Sequence, residues 1–296
     1  MSIQSLQAEP LLKQNSILGE CPVWDDRQNL LYWVDILSGN LFRYNPNLQK
    51  TTVFDIGEHI GSFALCENNR AILALKSGFA FYNFQSNRIE RIINPESHLS
   101  NSRFNDGKCD PFGRFWAGTL TYDVKKGAGS LYTLTSAEGA VETKLSNLTI
   151  PNGMAWHTGR KKFYFIDSPD RVIYQFDCDV NEGKIANRSV LFEFPASGPL
   201  PDGMTMDAEG HLWVALYNGY KVVRINPDSA KIVFKVELPV PQVTSCTFGG
   251  PELNELYITT AREHMTEEEI AKVPLSGALF KADVPFRGLK TDRFKG

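Results

Sequence analysis

Residues 151–168 read PNGMAWHTGRKKFYFIDS, and residues 201–219 read PDGMTMDAEGHLWVALYNG. Both stretches begin with Pro, followed by Asn or Asp and then by Gly and Met. Both continue through a turn into an aromatic and apolar run. Asn152 in the first stretch stands where Asp202 stands in the second. The chain therefore repeats a structural unit, and within that unit it varies a residue that can bind a cation or take a proton.

The two stretches belong to a series of six, each consisting of a turn followed by a short apolar or aromatic run. The second residue of each run serves as a marker, and the markers are Tyr32, Ile72, Trp116, Tyr164, Trp213 and Tyr257. Successive markers lie 40 to 49 residues apart, a spacing that suits the four-stranded blade of a β-propeller. Further β-rich runs, such as NLFRYNP and KVVRINPD, follow each marker. The sequence predicts an all-β fold, a single six-bladed β-propeller domain over residues 1–296 with four-stranded antiparallel blades around a central channel.

Helical periodicity is almost absent from the chain. The exception is TEEEIAKV, in which Thr266 and Glu269 have the spacing of a capping box at the start of a short helix. We expect the residues near EPLLKQ, at 9–14, to pair with the last blade and so close the ring. The final strands of that blade come from GALFKADVPF, at 277–286.

Composition restricts the classes of partner. The chain is 42% hydrophobic and 22% charged with a net charge of −3, so we expect a soluble globular protein that does not bind nucleic acid. No run approaches the roughly 18 apolar residues of a membrane helix, and the first residues lack the pattern of a signal peptide. The five scattered cysteines favour reduced thiols and a cytoplasmic location. A closed propeller has few free sheet edges, so we expect a monomer.

The repeat also predicts where a functional site lies. One residue lies 11 or 12 positions before each marker, and we expect it to open the innermost strand of its blade. Residues at the same place in every blade then converge around the channel. They are Glu20, Ile60 or Gly61, Asn105, Asn152, Asp202 and Ser245. Oxygen ligation by Glu20, Asn152 and Asp202 would suit a hard divalent cation and leave positions for water and substrate. Spacing alone leaves a second interpretation open, because Asn-Gly and Asp-Gly are common turn dipeptides.

Longer motifs resemble a known family. LGECPVWD at 18–25, RFNDGKCDPFGRFWAGT at 103–119, PNGMAWH at 151–157 and PDGMTMDAEGHLWVA at 201–215 are similar to motifs of the SMP-30/gluconolactonase/luciferin-regenerating enzyme (regucalcin-like) family. TSCTFGG and LYITTAR near the C-terminus also resemble it, so the resemblance runs from about residue 15 to 285. It implies a six-bladed propeller, in agreement with the repeat, and a sugar lactonase with one catalytic divalent metal.

Carried over by motif, the resemblance implies that Glu20, Asn152 and Asp202 bind the metal and that Arg103 and Asn105 bind substrate. It also implies a substrate-binding carboxylate after GTL, where Asp123 stands, one methylene shorter than the expected Glu. Ligand type favours Ca²⁺, although Mg²⁺, Mn²⁺, Zn²⁺ or Fe²⁺ can also occupy such a site. The implied reaction is hydrolysis of a gluconolactone-like aldonolactone to the aldonic acid, with the metal as Lewis acid and Asp202 as general base.

Several residues near these motifs have structural alternatives. Arg103 could instead pair with Asp106 or Asp123, and Asp106 is expected to be a turn or supporting residue. His59 is expected at the rim, and the loop TYDVKKGAGS at 121–130 is either a lid or a plain solvated loop. We expect Trp116 and Trp213 to lie in the core between blades, and we expect small buried apolar roles, not nucleophilic ones, for Cys21, Cys109 and Cys246.

Two other functions compete with lactone hydrolysis. The first is a promiscuous esterase or organophosphate hydrolase that uses the same metal, and the second is a non-catalytic, regucalcin-like calcium-binding protein. A pocket lined by Arg103, Asn105 and Asp123 would favour a polyhydroxylated ligand, whereas an apolar funnel would favour esters.

Overall fold

Six antiparallel sheets form the blades of a ring in the computed structural model, which describes residues 3–296. Two short strands, β1 (Gln4–Gln7) and β2 (Glu9–Leu12), precede the first blade. Blade 1 contains β3 (Gly19–Asp25), β4 (Leu30–Asp35), β5 (Asn40–Asn45) and β6 (Lys50–Asp55). Blade 2 contains β7 (Ile60–Leu65), β8 (Arg70–Leu75), β9 (Gly78–Asn83) and β10 (Arg88–Ile93). Blade 3 contains β11 (Ser102–Cys109), β12 (Phe115–Thr121), β13 (Gly129–Leu134) and β14 (Val141–Leu148).

The second half of the ring repeats this order. Blade 4 contains β15 (Pro151–His157), β16 (Lys162–Asp167), β17 (Val172–Asp179) and β18 (Lys184–Glu193). Blade 5 contains β19 (Leu200–Met206), β20 (Leu212–Tyr217), β21 (Lys221–Asn226) and β22 (Lys231–Glu237). Blade 6 contains β23 (Val243–Gly249), β24 (Glu255–Thr260) and β25 (Leu279–Asp283), with β2 as its outermost strand. The predicted six-bladed β-propeller is confirmed.

The first strand of each blade lies innermost, and these strands surround the channel. Each contacts the innermost strand of the next blade in the order β3, β7, β11, β15, β19 and β23, and β23 contacts β3 again. The ring is therefore closed, and blades 1 and 4 lie opposite each other. All six markers fall on the second strands and are buried, as the repeat predicts.

The N-terminal segment closes the ring. Strand β2 pairs antiparallel with β25, with Glu9 opposite Lys281, which confirms the expected pairing of this segment with the last blade. One feature differs from the prediction of four strands in every blade, because β1 pairs in parallel with β22 and gives blade 5 a fifth strand. The extra strand covers an edge of β22 that would otherwise carry unpaired backbone groups. The predicted domain includes Met1 and Ser2, which lie outside the described residues.

The core is divided into clusters between neighbouring blades. Trp116 of blade 3 packs against Trp156 and Phe163 of blade 4, and Trp213 of blade 5 packs against Phe248 of blade 6. Both markers are completely buried, so their inter-blade role is confirmed. The Nε1 atom of each indole donates to the carboxylate of the turn that precedes it, Asp110 at 3.0 Å and Asp207 at 2.9 Å.

Helices are short and few among residues 3–296. Helix α1 (Glu267–Lys272) begins after Thr266, whose hydroxyl accepts from the amide of Glu269 while the Glu269 carboxylate accepts from the amide of Thr266, which confirms the capping box. Two 3₁₀ turns, Thr158–Arg160 and Ser168–Asp170, flank β16. No helix in this range has the length and apolar character that crossing a membrane requires.

Candidate functional site

Each innermost strand is irregular at the position that the repeat singles out. In blade 4 the pairing of β15 with β16 shifts between Asn152 and Met154, and in blade 5 the pairing of β19 with β20 shifts between Pro201 and Met204. The corresponding shifts in the other blades lie at Glu20–Val23, Ile60–Ser62, Phe104–Gly107 and Val243–Ser245. A β-bulge releases a residue from the ladder and re-aims its side chain. The irregularities lie at or directly beside Glu20, Asn105, Asn152 and Asp202, on the strands that surround the channel.

The glycine that follows Asn152 and Asp202 has a packing role. A Cβ atom on Gly153 would lie 2.5 Å from the Cβ atom of Met204, and one on Gly203 would lie 2.2 Å from the Oγ atom of Ser245. Real side chains do not approach so closely, so neighbouring innermost strands can pack at this distance only with glycine. The repeated PNGM and PDGM motifs thus combine a channel-facing polar residue with a close contact between blades.

Residues at or beside these register shifts in blades 1, 3, 4 and 5 line one cavity of about 360 Å³. Glu20, Arg103, Asn105, Asn152 and Asp202 all line it, so the structure brings together five of the predicted site residues. Their side chains are buried, with residue exposures of 4% to 8%. Other lining residues were not identified from the sequence; they are Leu18, Leu37, Leu120, Tyr122, Val124, Ile150, Ser168, Leu200, Tyr217, Glu263 and His264.

A chain of hydrogen bonds crosses the cavity floor from blade 3 to blade 5. The guanidinium of Arg103 donates to the Oδ1 atom of Asn105 at 2.9 Å, and the Nδ2 atom of Asn105 donates to the Oδ1 atom of Asn152 at 3.0 Å. The Nδ2 atom of Asn152 donates to the hydroxyl of Ser168 at 2.8 Å, and that hydroxyl donates to the carbonyl of Pro201 at 2.6 Å. These bonds fix the orientation of both amides and connect the predicted substrate residues to the predicted ligands.

Glu20 and Asp202 are buried carboxylates that form no ion pair with a side chain of residues 3–296. Within residues 3–296 no Lys, Arg or His nitrogen lies within 4.0 Å of either carboxylate. Burial, together with the nearby Asp106 carboxylate, raises the pKa of Glu20 to about 8, although the amide of Cys21 donates to it at 2.8 Å. Burial and the Glu20 charge raise the pKa of Asp202 well above its ordinary value. Two such carboxylates repel each other when both are ionised, unless a cation lies between them.

The donor set fits a hard divalent cation. Glu20, Asn152 and Asp202 offer only oxygen atoms, two carboxylates and one amide, from three different blades. No group of three or more His, Cys, Asp or Glu side chains in the described part of the chain is arranged to hold a metal ion. The predicted set has only two such side chains because its third member is an amide. Both buried carboxylates would gain a compensating charge from a cation held there.

Arg103 does not form either of the ion pairs considered from the sequence. No carboxylate oxygen within residues 3–296 lies within 4.0 Å of its guanidinium, so neither Asp106 nor Asp123 pairs with it. Its side chain is held instead by the carbonyl of Phe104 and the amide of Asn105. Asp106 is buried and accepts from the amide of Gly107 at 2.8 Å, which agrees with its expected supporting role.

The structure does not bring Asp123 to the cavity wall. Its side chain is exposed and accepts from the Nδ2 atom of Asn101 at 3.0 Å. The residues on either side, Tyr122 and Val124, line the cavity instead. The Tyr122 hydroxyl lies 2.8 Å from the Nδ1 atom of His59, which places His59 beside the cavity mouth, as the rim interpretation expects.

Three of the lining residues that were not identified from the sequence lie at the ends of second strands. Tyr217 ends β20, while Tyr122 and Ser168 directly follow β12 and β16. The end of each second strand lies beside the start of the innermost strand, so the same register that located Asn152 and Asp202 could have located these residues. Glu263 and His264 lie three and four residues after the end of β24, and the repeat in the sequence does not single out these positions.

The cysteines near the channel are unsuited to nucleophilic chemistry. Cys21, Cys109 and Cys246 are buried free thiols. Burial raises the pKa of the Cys246 thiol to about 12 and raises the pKa of the Cys21 and Cys109 thiols as well. Because the thiolate is the reactive form, the structure agrees with their expected role as small buried apolar residues.

Comparisons with known proteins extend over nearly the whole chain. A 6-deoxy-6-sulfogluconolactonase of Pseudomonas putida is 37% identical over 287 residues, which cover 97% of this chain and 98% of that protein. Regucalcin of Xenopus laevis is 34% identical over 300 residues, which cover 99% of this chain and 100% of that protein. The solved structure of a luciferin-regenerating enzyme is 32% identical and superposes with a TM-score of 0.91, covering 98% of this chain and 99% of the other.

A family model agrees with these similarities. Residues 18–262 match the model described as the SMP-30/Gluconolactonase/LRE-like region. The match contains all six innermost strands and every residue of the predicted ligand set. This chain belongs to the SMP-30/gluconolactonase/LRE-like family.

Proposed function

We propose that this protein is a hydrolase that opens the ester bond of an aldonolactone, such as a gluconolactone, to give the aldonic acid, and that it depends on a divalent metal ion. The observation that carries the proposal is the convergence of Glu20, Asn152 and Asp202, from three blades, on one buried cavity that also contains Arg103 and Asn105. The name of the Pseudomonas putida relative, a 6-deoxy-6-sulfogluconolactonase, supports a lactone substrate.

Glu20, Asn152 and Asp202 would hold the metal ion. Ca²⁺ is the first candidate by ligand type, with Mg²⁺, Mn²⁺, Zn²⁺ and Fe²⁺ as alternatives. A divalent ion bound there supplies Lewis-acid polarisation of an ester carbonyl. The carboxylates and the amide come from rigid strands, so the ligands are oriented before the ion binds.

Asp202 would act as the general base. It would accept a proton from water as the water oxygen forms a bond to the lactone carbonyl carbon, and it would return a proton to the ring oxygen as the carbon–oxygen bond breaks. The products are then a hydroxyl and a carboxylic acid on one open chain, so the atoms of lactone and water are conserved. General base catalysis of this kind typically contributes about 10²- to 10⁴-fold to the rate.

Arg103 and Asn105 would bind the substrate hydroxyls and select the face of attack. Two bonds hold the guanidinium of Arg103 in place, and the donors that these bonds do not use are available to a ligand. Arg103 has no ion-pair partner within residues 3–296, so a polar ligand would supply acceptors that the protein does not. Such positioning accelerates attack by holding the reacting atoms in line.

The apolar part of the cavity lining supports a second candidate, an esterase or organophosphate hydrolase. Leu18, Leu37, Val124, Ile150 and Leu200 line the same cavity as the polar residues. An aryl or alkyl group could pack on these side chains while an ester carbonyl lies at the floor. The polar floor nevertheless matches several hydroxyl groups, and we therefore rank the lactone first.

The test is a hydrolysis assay on protein stripped with chelator and then supplied with Ca²⁺, Mg²⁺, Mn²⁺, Zn²⁺ or Fe²⁺. The substrates are a panel of aldono-γ- and δ-lactones, an aryl ester and an organophosphate triester. Lactone turnover that disappears with chelator and returns with one ion supports the proposal. Turnover of the aryl ester alone would favour the second candidate, and tight Ca²⁺ binding without turnover of any substrate would favour a calcium-binding protein. Light scattering on the same sample tests our expectation of a monomer.

A further inference from the structure

Two buried carboxylates hold the backbone directly before two of the predicted ligands. In blade 1 the carboxylate of Asp35 accepts from the amides of Ile17 and Leu18, both at 3.0 Å. In blade 4 the carboxylate of Asp167 accepts from the amides of Thr149 at 2.8 Å and Ile150 at 2.7 Å. Glu20 follows Leu18 by two positions, and Asn152 follows Ile150 by two positions.

The two arrangements share the same strand register and the same backbone bond to the preceding segment. Each aspartate is the last residue of the second strand in its blade, and each lies opposite the residue before the ligand, Gly19 for Asp35 and Pro151 for Asp167. The residue after each aspartate adds one backbone bond to the same segment, from Ile36 to Leu18 at 3.0 Å and from Ser168 to Ile150 at 3.0 Å. Because blades 1 and 4 lie opposite each other, the same clamp acts on both sides of the channel.

The fold itself does not require an aspartate at this position. The residues at the same register position of the second strands in blades 2, 3, 5 and 6 are Leu75, Thr119, Leu216 and Thr260. Among these, Thr260 uses its hydroxyl to donate to the carbonyl of Ala278 and so makes a different contact. Among residues 3–296 the carboxylate clamp therefore occurs only in the two opposed blades whose innermost strands supply Glu20 and Asn152.

We propose that Asp35 and Asp167 are positioning residues that fix the backbone approach to Glu20 and Asn152 and thereby set the affinity of the site for its divalent cation. This inference rests on the proposed metal-dependent function. A carboxylate that accepts two backbone N–H groups makes charge-assisted bonds, which are stronger than neutral ones and restrict the peptide planes. The segments 17–18 and 149–150 also place Leu18 and Ile150 on the cavity wall, so the clamp orients ligand and wall together.

Two other aspartates serve as control positions. They lie in the turn that joins the first and second strands of a blade, whereas each clamp aspartate lies at the far end of the second strand. Asp110 accepts from the amides of Phe112 and Arg114, and Asp207 accepts from those of Glu209 and His211. Both controls are buried, and each also accepts from a tryptophan indole and forms an ion pair with an arginine, so their loss removes more interactions than loss of a clamp. Neither control lines the cavity.

The experiment compares Asp35→Asn and Asp167→Asn with Asp110→Asn and Asp207→Asn in the full chain. Calorimetry measures the Kd of the chelator-treated protein for Ca²⁺ and for Mn²⁺, and thermal denaturation with chelator present measures Tm. We expect each clamp variant to weaken binding of the metal by about 10- to 100-fold, the range typical of residues that orient metal ligands. We expect the control variants to lower Tm by at least as much and to change Kd by less than about 3-fold.

A second readout does not depend on metal or activity. Hydrogen–deuterium exchange of the metal-free protein should become faster in peptides that contain residues 17–20 in Asp35→Asn and residues 149–152 in Asp167→Asn, and each variant should leave the opposite segment unchanged. If a clamp variant fails to fold, Asp35→Thr or Asp167→Thr replaces it, because blades 3 and 6 already carry Thr at this position.

The outcomes separate this inference from the proposed function. Wild-type protein that binds metal and hydrolyses lactone, with clamp variants whose metal Kd matches that of the controls, would overturn the clamp and leave the proposed function in place. Wild-type protein that binds neither metal would overturn both. Selective loss of metal affinity with faster exchange in the clamped segment supports the positioning role.

Discussion

The Nδ2 atom of Asn105 lies 3.0 Å from the Oδ1 atom of Asn152, and this bond connects the innermost strands of two adjacent blades at the cavity floor. The same Asn105 accepts from Arg103 through its Oδ1 atom at 2.9 Å. One amide thus orients both a predicted substrate residue and a predicted ligand. The floor of the cavity therefore behaves as a single hydrogen-bonded unit, and removing its central member should affect both functions.

Replacing Asn105 with Ala should lower lactone kcat/KM by about 10- to 100-fold, because the guanidinium of Arg103 loses its fixed orientation. The buried guanidinium would also lose an acceptor, which should lower the free energy of unfolding by about 1–3 kcal/mol. Steady-state kinetics and urea denaturation measure the two effects. Asn101→Ala is the control, since its amide bonds only the exposed Asp123. Equal kinetics for the two variants would contradict the role of Asn105.

Replacing Asp202 with Asn should lower kcat by at least about 10²-fold, because an amide cannot accept the proton of the attacking water at neutral pH. The substitution is nearly isosteric and removes a buried carboxylate that lies close to Glu20, so the metal-free protein should be at least as stable as wild type. The assay is lactone hydrolysis with the best metal at saturation. A variant that retains near-wild-type kcat would exclude Asp202 as the general base.

Asp123 and Tyr122 test the loop between the second and third strands of blade 3. Since the Asp123 side chain is exposed and bonded to Asn101, Asp123→Ala should change kcat/KM by less than about 2-fold. Tyr122→Ala removes a ring from the cavity wall and a bond to His59, so we expect KM to rise by about 3- to 10-fold. A large loss of activity in Asp123→Ala would restore the carboxylate role that the resemblance implies.

Gly153→Ala should destabilise the protein by about 2 kcal/mol or more, because the added Cβ atom would lie 2.5 Å from the Cβ atom of Met204 in the neighbouring blade. Gly159→Ala is the control. Its Cβ atom would meet only the His157 ring, at 3.6 Å, so stability should stay within about 0.5 kcal/mol of wild type. Chemical denaturation of both variants measures the difference. Similar stabilities would show that the blades can separate at little cost.

Asp292, which lines a second cavity together with Asp106 and Lys108, provides a test of pH dependence. Burial, with a contribution from the nearby Asp110, raises its pKa to about 6. The unfolded chain releases this proton near pH 4, before the folded protein does, so stability falls as the pH rises from about 4 to about 6 and is constant above that.

Asp292→Asn should therefore raise Tm at pH 7 and leave it unchanged near pH 4. Because Asp292 is partly exposed and solvent screens its charge, we expect a gain of only about 0.5–1 kcal/mol, or about 1–3 °C. Thermal melts at both pH values measure the change. A Tm that rises equally at pH 4 would mean that a factor other than the carboxylate charge is responsible.

The three predicted metal ligands were found from their common position in the blade repeat. Glu20, Asn152 and Asp202 occupy the same place in three blades, and the closed ring turns equal places toward one channel. Asp123 had no such support, because it lies in a loop where neighbouring residues face opposite sides. A shift of one residue there exchanges the exposed Asp123 for Tyr122, and local spacing cannot decide which of them meets the cavity.

The sequence by itself determined the number of blades, the strand order and the shared position of Glu20, Asn105, Asn152 and Asp202, because each blade is a local unit whose turn and apolar run recur at a nearly constant spacing. The pairing of the N-terminal segment with the last blade was a hypothesis from the sequence, and the pairing of β2 with β25 confirms it. Only the tertiary structure decided which loop residues line the cavity and that Arg103 has no ion-pair partner within residues 3–296. It also decided that Asp35 and Asp167 bind the backbone before Glu20 and Asn152 in two opposed blades. The wall residues come from several blades, and each clamp depends on which backbone amides the folded blade brings to its aspartate, so the spacing of the repeat does not specify these features.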